Sequence, residues 1–173
     1  DIPRQFASSG KDYSKSGFDR GHLAGSSQID YSEDANSETF LYSNMAPQLA
    51  GFNRDMMGHT GAWGRVEGKV RKWVYRHSSL NVIAGTHFEG DVSTIGSGVG
   101  IPTNFYKIII DPNTLETVAF WFPHIENDAH NIENYIVSID YIEHKTGIDF
   151  FAGLVDKFEY AIEKLSGDPS FQL

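Results

Sequence analysis

From Ala62 to His77 the apolar positions fall at Trp63, Val66, Val70, Trp73 and Val74, a three-and-four spacing that predicts an amphipathic helix over 62–77. Glu67 and Arg71 stand four apart and therefore share one of its faces. Strand patterns lie on either side. "TFLYSN", 39–44, has the β-branched and aromatic content of a short strand that stops before Pro47, and "LNVIAGTHFE" reads as a buried strand. "NFYKIII" and "LETVAFWF" flank Asp111-Pro112-Asn113-Thr114, whose turn chemistry predicts a hairpin. "IVSIDYIEHKTGIDFF" suits a short strand or turn and a short helix stopped at Gly147; Leu154, Phe158, Ala161 and Leu165 then follow at helical spacing, with Gly167 and Pro169 as stops. Loops are expected at 7–17, 45–61, 91–100 and 123–134. No β-α-β rhythm recurs. The expected fold is therefore α+β, with a mixed, mainly antiparallel central sheet and flanking helices. With no internal repeat and no linker, residues 1–173 read as one domain.

Composition changes this picture little. Hydrophobic residues at 40% and charged residues at 21% are ordinary for a folded soluble chain. The apolar runs fall far short of the roughly 20 residues that a spanning helix needs. The absence of cysteine removes disulfides, thiolate nucleophiles and cysteine-ligated metals. A net charge of −9 argues against a general polyanion-binding surface, yet its distribution is uneven. Arg54, Arg65, Lys69, Arg71, Lys72 and Arg76 face only Asp55 and Glu67 between 54 and 77, so a basic groove on an acidic body is open to the chain.

The densest chemistry lies in Asp19-Arg20-Gly21-His22. A guanidinium can grip a phosphate with two hydrogen bonds while a nearby imidazole takes a proton from water. In the alternative, Arg20 pairs with Asp19 and His22 is a satisfied polar residue. Elsewhere, His124, Glu126, Asp128 and His130 offer enough ligands for a metal, but their spacing reads better as an acidic solvated loop. Gly96, Gly98 and Gly100 lack the strand-to-helix context of a phosphate loop, and Ser26 and Ser27 lack a nucleophile elbow.

Further pieces follow in order: Ser43-Asn44-Met45-Ala46-Pro47-Gln48, Phe52-Asn53-Arg54 and Trp63-Gly64-Arg65-Val66-Glu67, with echoes in "IPTNFYKIII" and "SIDYIEHKTGIDFF". With the first motif they resemble the DNA/RNA non-specific endonucleases, the ββα-metal nucleases of the endonuclease G kind, over about residues 12–151. The resemblance implies His22 as general base and Asn53, 31 residues later, as the direct protein ligand of a catalytic Mg²⁺ or Mn²⁺. Such a hard ion keeps most of its water and accepts few protein oxygens. It also implies that Glu67 holds a metal-bound water and that Arg20, Arg71 and Arg54 contact substrate, while Asp19 and Asn44 orient their neighbours. The implied substrates are DNA and RNA, cut to leave 5′-phosphate and 3′-hydroxyl ends. The runner-up is a nucleic-acid-binding module of the same fold, catalytically silent or controlled by an inhibitor. Homodimers and a protein inhibitor belong to the implied partners, and the implied settings are secreted, periplasmic or mitochondrial.

The chain departs from that pattern in two places. Trp63 stands 10 residues after Asn53 where relatives have about four, so "DMMGHTGA" must bulge out if Asn53 and Glu67 are to face one ion. His59, inside that insertion, is expected to be a solvated loop residue. Only 21 residues precede His22, and Arg4 lies too near to serve as the substrate arginine that relatives carry further upstream. The chain is accordingly expected to be a fragment, or one piece of a nicked protein, that lacks an N-terminal strand. Gly21 is expected to let the backbone turn so that Arg20 and His22 converge on one phosphate.

Overall fold

Alternate side chains of one central strand reach two separate cores, and this alternation organises the molecule. In the computed structural model, which describes residues 2–3, 6–56, 59–126, 129–154, 156–163, 167 and 170–171, that strand is residues 104–110. At 55–56, 59–60, 129–130, 156–158 and 161 only the backbone is described. Arg4, Asp128, Leu165 and Pro169, and the side chains of His59, His130, Phe158 and Ala161, therefore lie outside the described residues.

The elements run α1 (Gly10–Tyr13), β1 (Asp19–His22), α2 (Glu33–Glu38), β2 (Met45–Gln48), α3 (Ala50–Asn53), β3 (Asp55–Met56), β4 (His59–Thr60), α4 (Ala62–His77) and β5 (Asn81–His87). Then come β6 (Thr94–Ile95), β7 (Val99–Gly100), β8 (Asn104–Ile110), β9 (Thr117–Pro123), β10 (Ile136–Val137), α5 (Ile139–Thr146) and α6 (Asp156–Glu163). The main sheet is ordered β10-β9-β8-β5 and is antiparallel throughout. The 111–114 turn joins β8 to β9 with Ile110 opposite Thr117, as the turn chemistry predicted. Phe105 and Ile109 of β8, with Val118, Phe120 and Phe122 of β9, pack on Trp63, Val66, Val70 and Trp73 of α4. Tyr106, Ile108 and Ile110, with Ala119 and Trp121, pack on Ile139, Ile142 and Ile162 on the other side. Each such large apolar side chain contributes about 1.5–3 kcal/mol relative to its exposed state. Lys107 is odd-numbered on β8 and so belongs to the α4 face.

Helix α4 has the bounds that its periodicity predicts, and α5 ends at Gly147 in the left-handed conformation, its N–H donating to Glu143 O. Other expectations need correction. Residues 39–44 form no strand: Thr39 caps α2 and Tyr42–Asn44 is a 3-10 turn, while the strand falls on Met45–Gln48. The loop expected at 45–61 holds β2, α3 and the β3–β4 hairpin, and those at 7–17, 91–100 and 123–134 hold α1, the β6–β7 hairpin and a 3-10 segment. The buried strand is β5, and it is half exposed because it forms the sheet's edge; Val82 is 37% exposed. Among the described residues no helix is long and apolar enough to cross a membrane.

Candidate active site

β1 and β2 pair antiparallel with Asp19 opposite Gln48 and His22 opposite Met45. Alternation sets Arg20 and His22 on one face of β1 and Gly21 on the other. Gly21 makes no left-handed turn, so the expected reason for this glycine is replaced by another. A Cβ there would lie 2.1 Å from Gln48 Cδ and Oε1, and the glycine leaves space for that fully buried amide. Asn44 ties the chain leaving β1 to the chain entering β2. Its Oδ1 accepts from Ala24 N at 2.9 Å, and its Nδ2 donates to Ala24 O at 2.9 Å and to Thr39 O at 2.8 Å.

A cleft of about 680 Å³ opens beside β1, lined by Tyr13, Asp19, Arg20, His22, Asn53 and Arg54 among others. Asp19 Oδ2 accepts from Asn53 Nδ2 at 3.0 Å and from Arg54 Nε at 2.6 Å, and Oδ1 accepts from Arg54 Nη2. The partner of Asp19 is thus Arg54 and not its neighbour Arg20. Burial raises the Asp19 carboxyl, but the bonds from Arg54 and Asn53 prevail and hold it below the usual carboxylate range. The Asn53 amide nitrogen is thus engaged by Asp19, and among the described residues its oxygen makes no hydrogen bond. Arg20 is exposed, and its Nη1 reaches Tyr42 Oη at 3.4 Å.

The ring of His22 stands edge-on to Phe40 at 5.1 Å, and its Nε2 is buried without a hydrogen-bond partner. Burial, assisted by the Arg20 charge and opposed by Glu67, lowers the imidazole below its ordinary value. The ring is therefore neutral near pH 7, with an imidazole nitrogen free for a proton.

Behind this strand lies α4. Trp63 Nε1 donates to the His22 carbonyl at 2.9 Å and so seats the helix on β1. One turn on, Glu67 Oε1 lies 3.7 Å from Lys107 Nζ, and that ammonium lies 3.9 Å from the Trp63 ring centroid. The distance of 3.7 Å is too long for a hydrogen bond, so this is a charge contact. Neither atom has a hydrogen-bond partner, and burial pushes Lys107 down to about 8 against the pull of Glu67. Arg71 does not join Glu67. Its Nη1 donates to Ser27 Oγ at 3.0 Å, and it lines a second groove of about 870 Å³ together with Asn44, Tyr31 and Tyr75.

The structure thus gathers Asp19, Arg20, His22, Asn53 and Arg54 around one cleft, sets Glu67 behind it within electrostatic reach of His22, and turns Arg71 and Asn44 to the second groove. The described part of the insertion folds back on itself. It forms the β3–β4 hairpin, closed by Gly61 N donating to Arg54 O at 3.0 Å, so Asn53 and α4 stay adjacent. Phe52 anchors Asn53 from below, with its ring 5.1 Å from Phe105 and 6.0 Å from Trp63.

Sequence reasoning missed Lys107, Gln48 and Tyr13; a lysine inside "NFYKIII" was the visible signal for the first. His124 is a staple: Nε2 accepts from Leu49 N at 2.9 Å and Nδ1 donates to Pro102 O at 2.8 Å. Both nitrogens are used, which leaves it no metal-binding lone pair.

For a hard cation the cleft offers the Asn53 amide oxygen and room for water, with the ionised Asp19 fixing that amide from behind. This donor set fits an ion that takes few protein ligands. Three other acidic or histidine-containing groups lie within ligand distance among the described residues, such as His77 with Asp111 and Glu116, but none lines the cleft.

Comparison with known proteins gives a consistent result. The family model described as DNA/RNA non-specific endonuclease matches residues 1–157. The chain is 33% identical over 172 residues to the Caenorhabditis elegans protein named endonuclease G, mitochondrial, covering 90% of this chain and 54% of that protein. It is 33% identical over 166 residues to nuclease C1 of Cunninghamella echinulata var. echinulata, covering 87% and 64%. With the Saccharomyces cerevisiae mitochondrial nuclease it shares 30% identity over 172 residues, covering 86% and 50%. The chain therefore spans between half and two thirds of the length of these relatives. A solved structure of the EndoG/EndoGI complex, concerned with EndoG inhibition, superposes with a TM-score of 0.77 at 31% identity, covering 90% of this chain and 68% of that one.

Proposed function

The chain belongs to the DNA/RNA non-specific endonuclease family, and from that premise we propose that it hydrolyses phosphodiester bonds in DNA and RNA, with Mg²⁺ as the ion and 5′-phosphate and 3′-hydroxyl ends as products. One observation carries this reading: a neutral histidine with an unpaired, buried ring nitrogen lines the same cleft as an asparagine whose amide nitrogen is held by Asp19 and whose oxygen has no hydrogen bond among the described residues. In the proposed reaction the imidazole of His22 takes the proton of a water as its oxygen adds to phosphorus; the bond from phosphorus to the 3′-oxygen breaks, and that oxygen takes a proton from solvent to leave as the hydroxyl. A positioned base of this kind is worth about 10²- to 10⁴-fold in rate.

The exposed Arg20 binds the non-bridging oxygens, and Arg71 is the second phosphate contact once it releases Ser27. Arg54 adds positive charge at the rim while its bond to Asp19 keeps it in place. Asp19 fixes the Asn53 amide and Glu67 orients water. When bound to Asn53, Mg²⁺ supplies Lewis-acid stabilisation of the charge that develops on the phosphoryl and leaving oxygens. β1, β2 and α4 are, in this reading, the ββα-metal motif.

The test is cleavage of supercoiled plasmid and of RNA, with and without EDTA, by the wild type and by His22→Ala. Mg²⁺-dependent cleavage that survives in His22→Ala removes His22 as the base. Control by an inhibitor is supported by the structural neighbour, which was solved as an inhibitor complex. The names of the worm and yeast relatives support a mitochondrial setting.

A further inference from the structure

Lys107 takes part in none of these steps, and it is fully buried on a strand whose other residues, after Asn104, are aromatic or isoleucine. An ammonium carried to such a place loses its hydration, and methionine would pack there without that cost. Two residues beside the Lys107 ammonium, Glu67 and Trp63, belong to the surroundings of the site. Its charge faces Glu67 Oε1 at 3.7 Å, and its ammonium sits on the face of Trp63, whose indole N–H holds the His22 carbonyl at 2.9 Å. Trp63 and Glu67 are four apart on α4, so one lysine on β8 touches both residues of the helix turn that meets β1.

We infer that Lys107 is a positioning residue: its buried charge holds the Glu67 carboxylate in one place, and its seat on the indole locks α4 in register with the strand that carries His22. The kinetic consequence rests on the proposed nuclease reading; the clamp between α4 and β1 does not.

Because the chain has no cysteine, Lys107→Cys introduces a unique thiol. Alkylated in denaturant with 2-bromoethylamine it regains an ammonium at lysine length, and with 1-bromopropane it gains a neutral group of the same size. Both proteins are refolded and their folding is checked by circular dichroism and melting. The aminoethyl protein should cleave plasmid close to the wild-type rate, while the propyl protein loses about tenfold or more in kcat with KM nearly unchanged, the usual scale for a group that orients a metal site from outside. Equal kcat in the two proteins would overturn the inference.

Hydrogen exchange of the Trp63 indole N–H, measured without metal, separates this claim from the nuclease reading. Protection that falls in the propyl protein and returns in the aminoethyl protein supports the clamp even if no cleavage is found, and equal protection in both sinks it. If the alkylated chains do not refold, Lys107→Met is compared with Glu67→Gln and the double variant. Losses no greater in the double than in either single support a shared unit, and additive losses overturn it.

Discussion

At one end of α4, His77 sets Nδ1 2.9 Å from Asp111 Oδ2; at the other, His22 lies close to Glu67 and Arg20 but hydrogen-bonds to neither carboxylate nor guanidinium. Both rings hold a buried nitrogen without a partner, so that feature alone does not separate them. Their surroundings do. Asp111 also accepts from the N–H groups of Asn113 and Thr114, which hold its carboxyl below the usual range, and the His77 ring stacks on Phe171 at 4.6 Å, away from either cleft. The His77–Asp111 pair joins the helix to the β8–β9 turn. The region around His22 borders open space: Gln48, Glu67 Oε1 and Lys107 Nζ are buried without hydrogen bonds beneath it, and Asn53 lines the same cleft beside it. A histidine beside an acid therefore reads as a structural element where it bonds that acid away from a cleft, and as a candidate base where a cleft meets it.

The sharpest way to break this contrast is to remove each ring. His22→Ala should lower kcat/KM for plasmid by about 10²- to 10⁴-fold with little change in melting temperature. His77→Ala should do the reverse, lowering the melting temperature by a few degrees while the folded enzyme keeps its activity. Comparable activity losses in the two variants would dissolve the distinction. Next in size stands the ion. EDTA should abolish cleavage, and Asn53→Ala should cost about tenfold or more in apparent Mg²⁺ affinity, read from activity against metal concentration. An unchanged metal requirement in Asn53→Ala would remove the amide as the ligand.

The two regions were not equally legible in the sequence. Helix α4 was readable to the residue because Trp63, Val66, Val70 and Trp73 all fall on one face and all are buried. The β8–β9 hairpin was readable because the turn at 111–114 names itself in local chemistry. "TFLYSN" misled because its apolar residues serve no strand: Phe40 is 54% and Leu41 49% exposed, while Thr39 Oγ1 bonds back to Asn36 O. β2 escaped notice because Pro47 argues against a strand, and only its pairing with β1 and the burial of Ala46 specify one. Around the cleft, the ordered motifs marked His22 and Asn53, whereas the Asp19–Arg54 and Glu67–Lys107 pairs join residues 35 and 40 apart that no local pattern links.

Gly21 supplies a third test, of how tightly the floor beneath β1 is filled. An alanine there meets the Gln48 side chain 2.1 Å away, inside a region with 0% exposure at Gln48. Gly21→Ala should therefore destabilise by about 1–3 kcal/mol, as overpacking does. Gln48→Ala should relieve most of that in the double variant, because it removes the side chain that clashes and an amide without hydrogen bonds. Additive losses in the pair would show that Gly21 is needed for its backbone and not for the room it leaves.

The smallest expected effect is the position of the acid limb in the pH profile. In the proposed reaction the active form of His22 is neutral, and burial, with help from Arg20, lowers its folded-state value below the ordinary one of about 6.5. Activity should thus hold as pH falls to about 6.5 and decline only below it. The folded protein should also lose some stability over the window from about 6.5 down to the lowered value, since the unfolded chain takes up the proton first. Arg20→Ala removes a cation that disfavours the imidazolium, so the limb in kcat/KM should move up toward 6.5. Glu67→Gln removes the carboxylate that favours it, so the limb should move further down. These opposite shifts are specific to a titrating group between those two charges. If both substitutions move the limb the same way, the group being titrated is not His22.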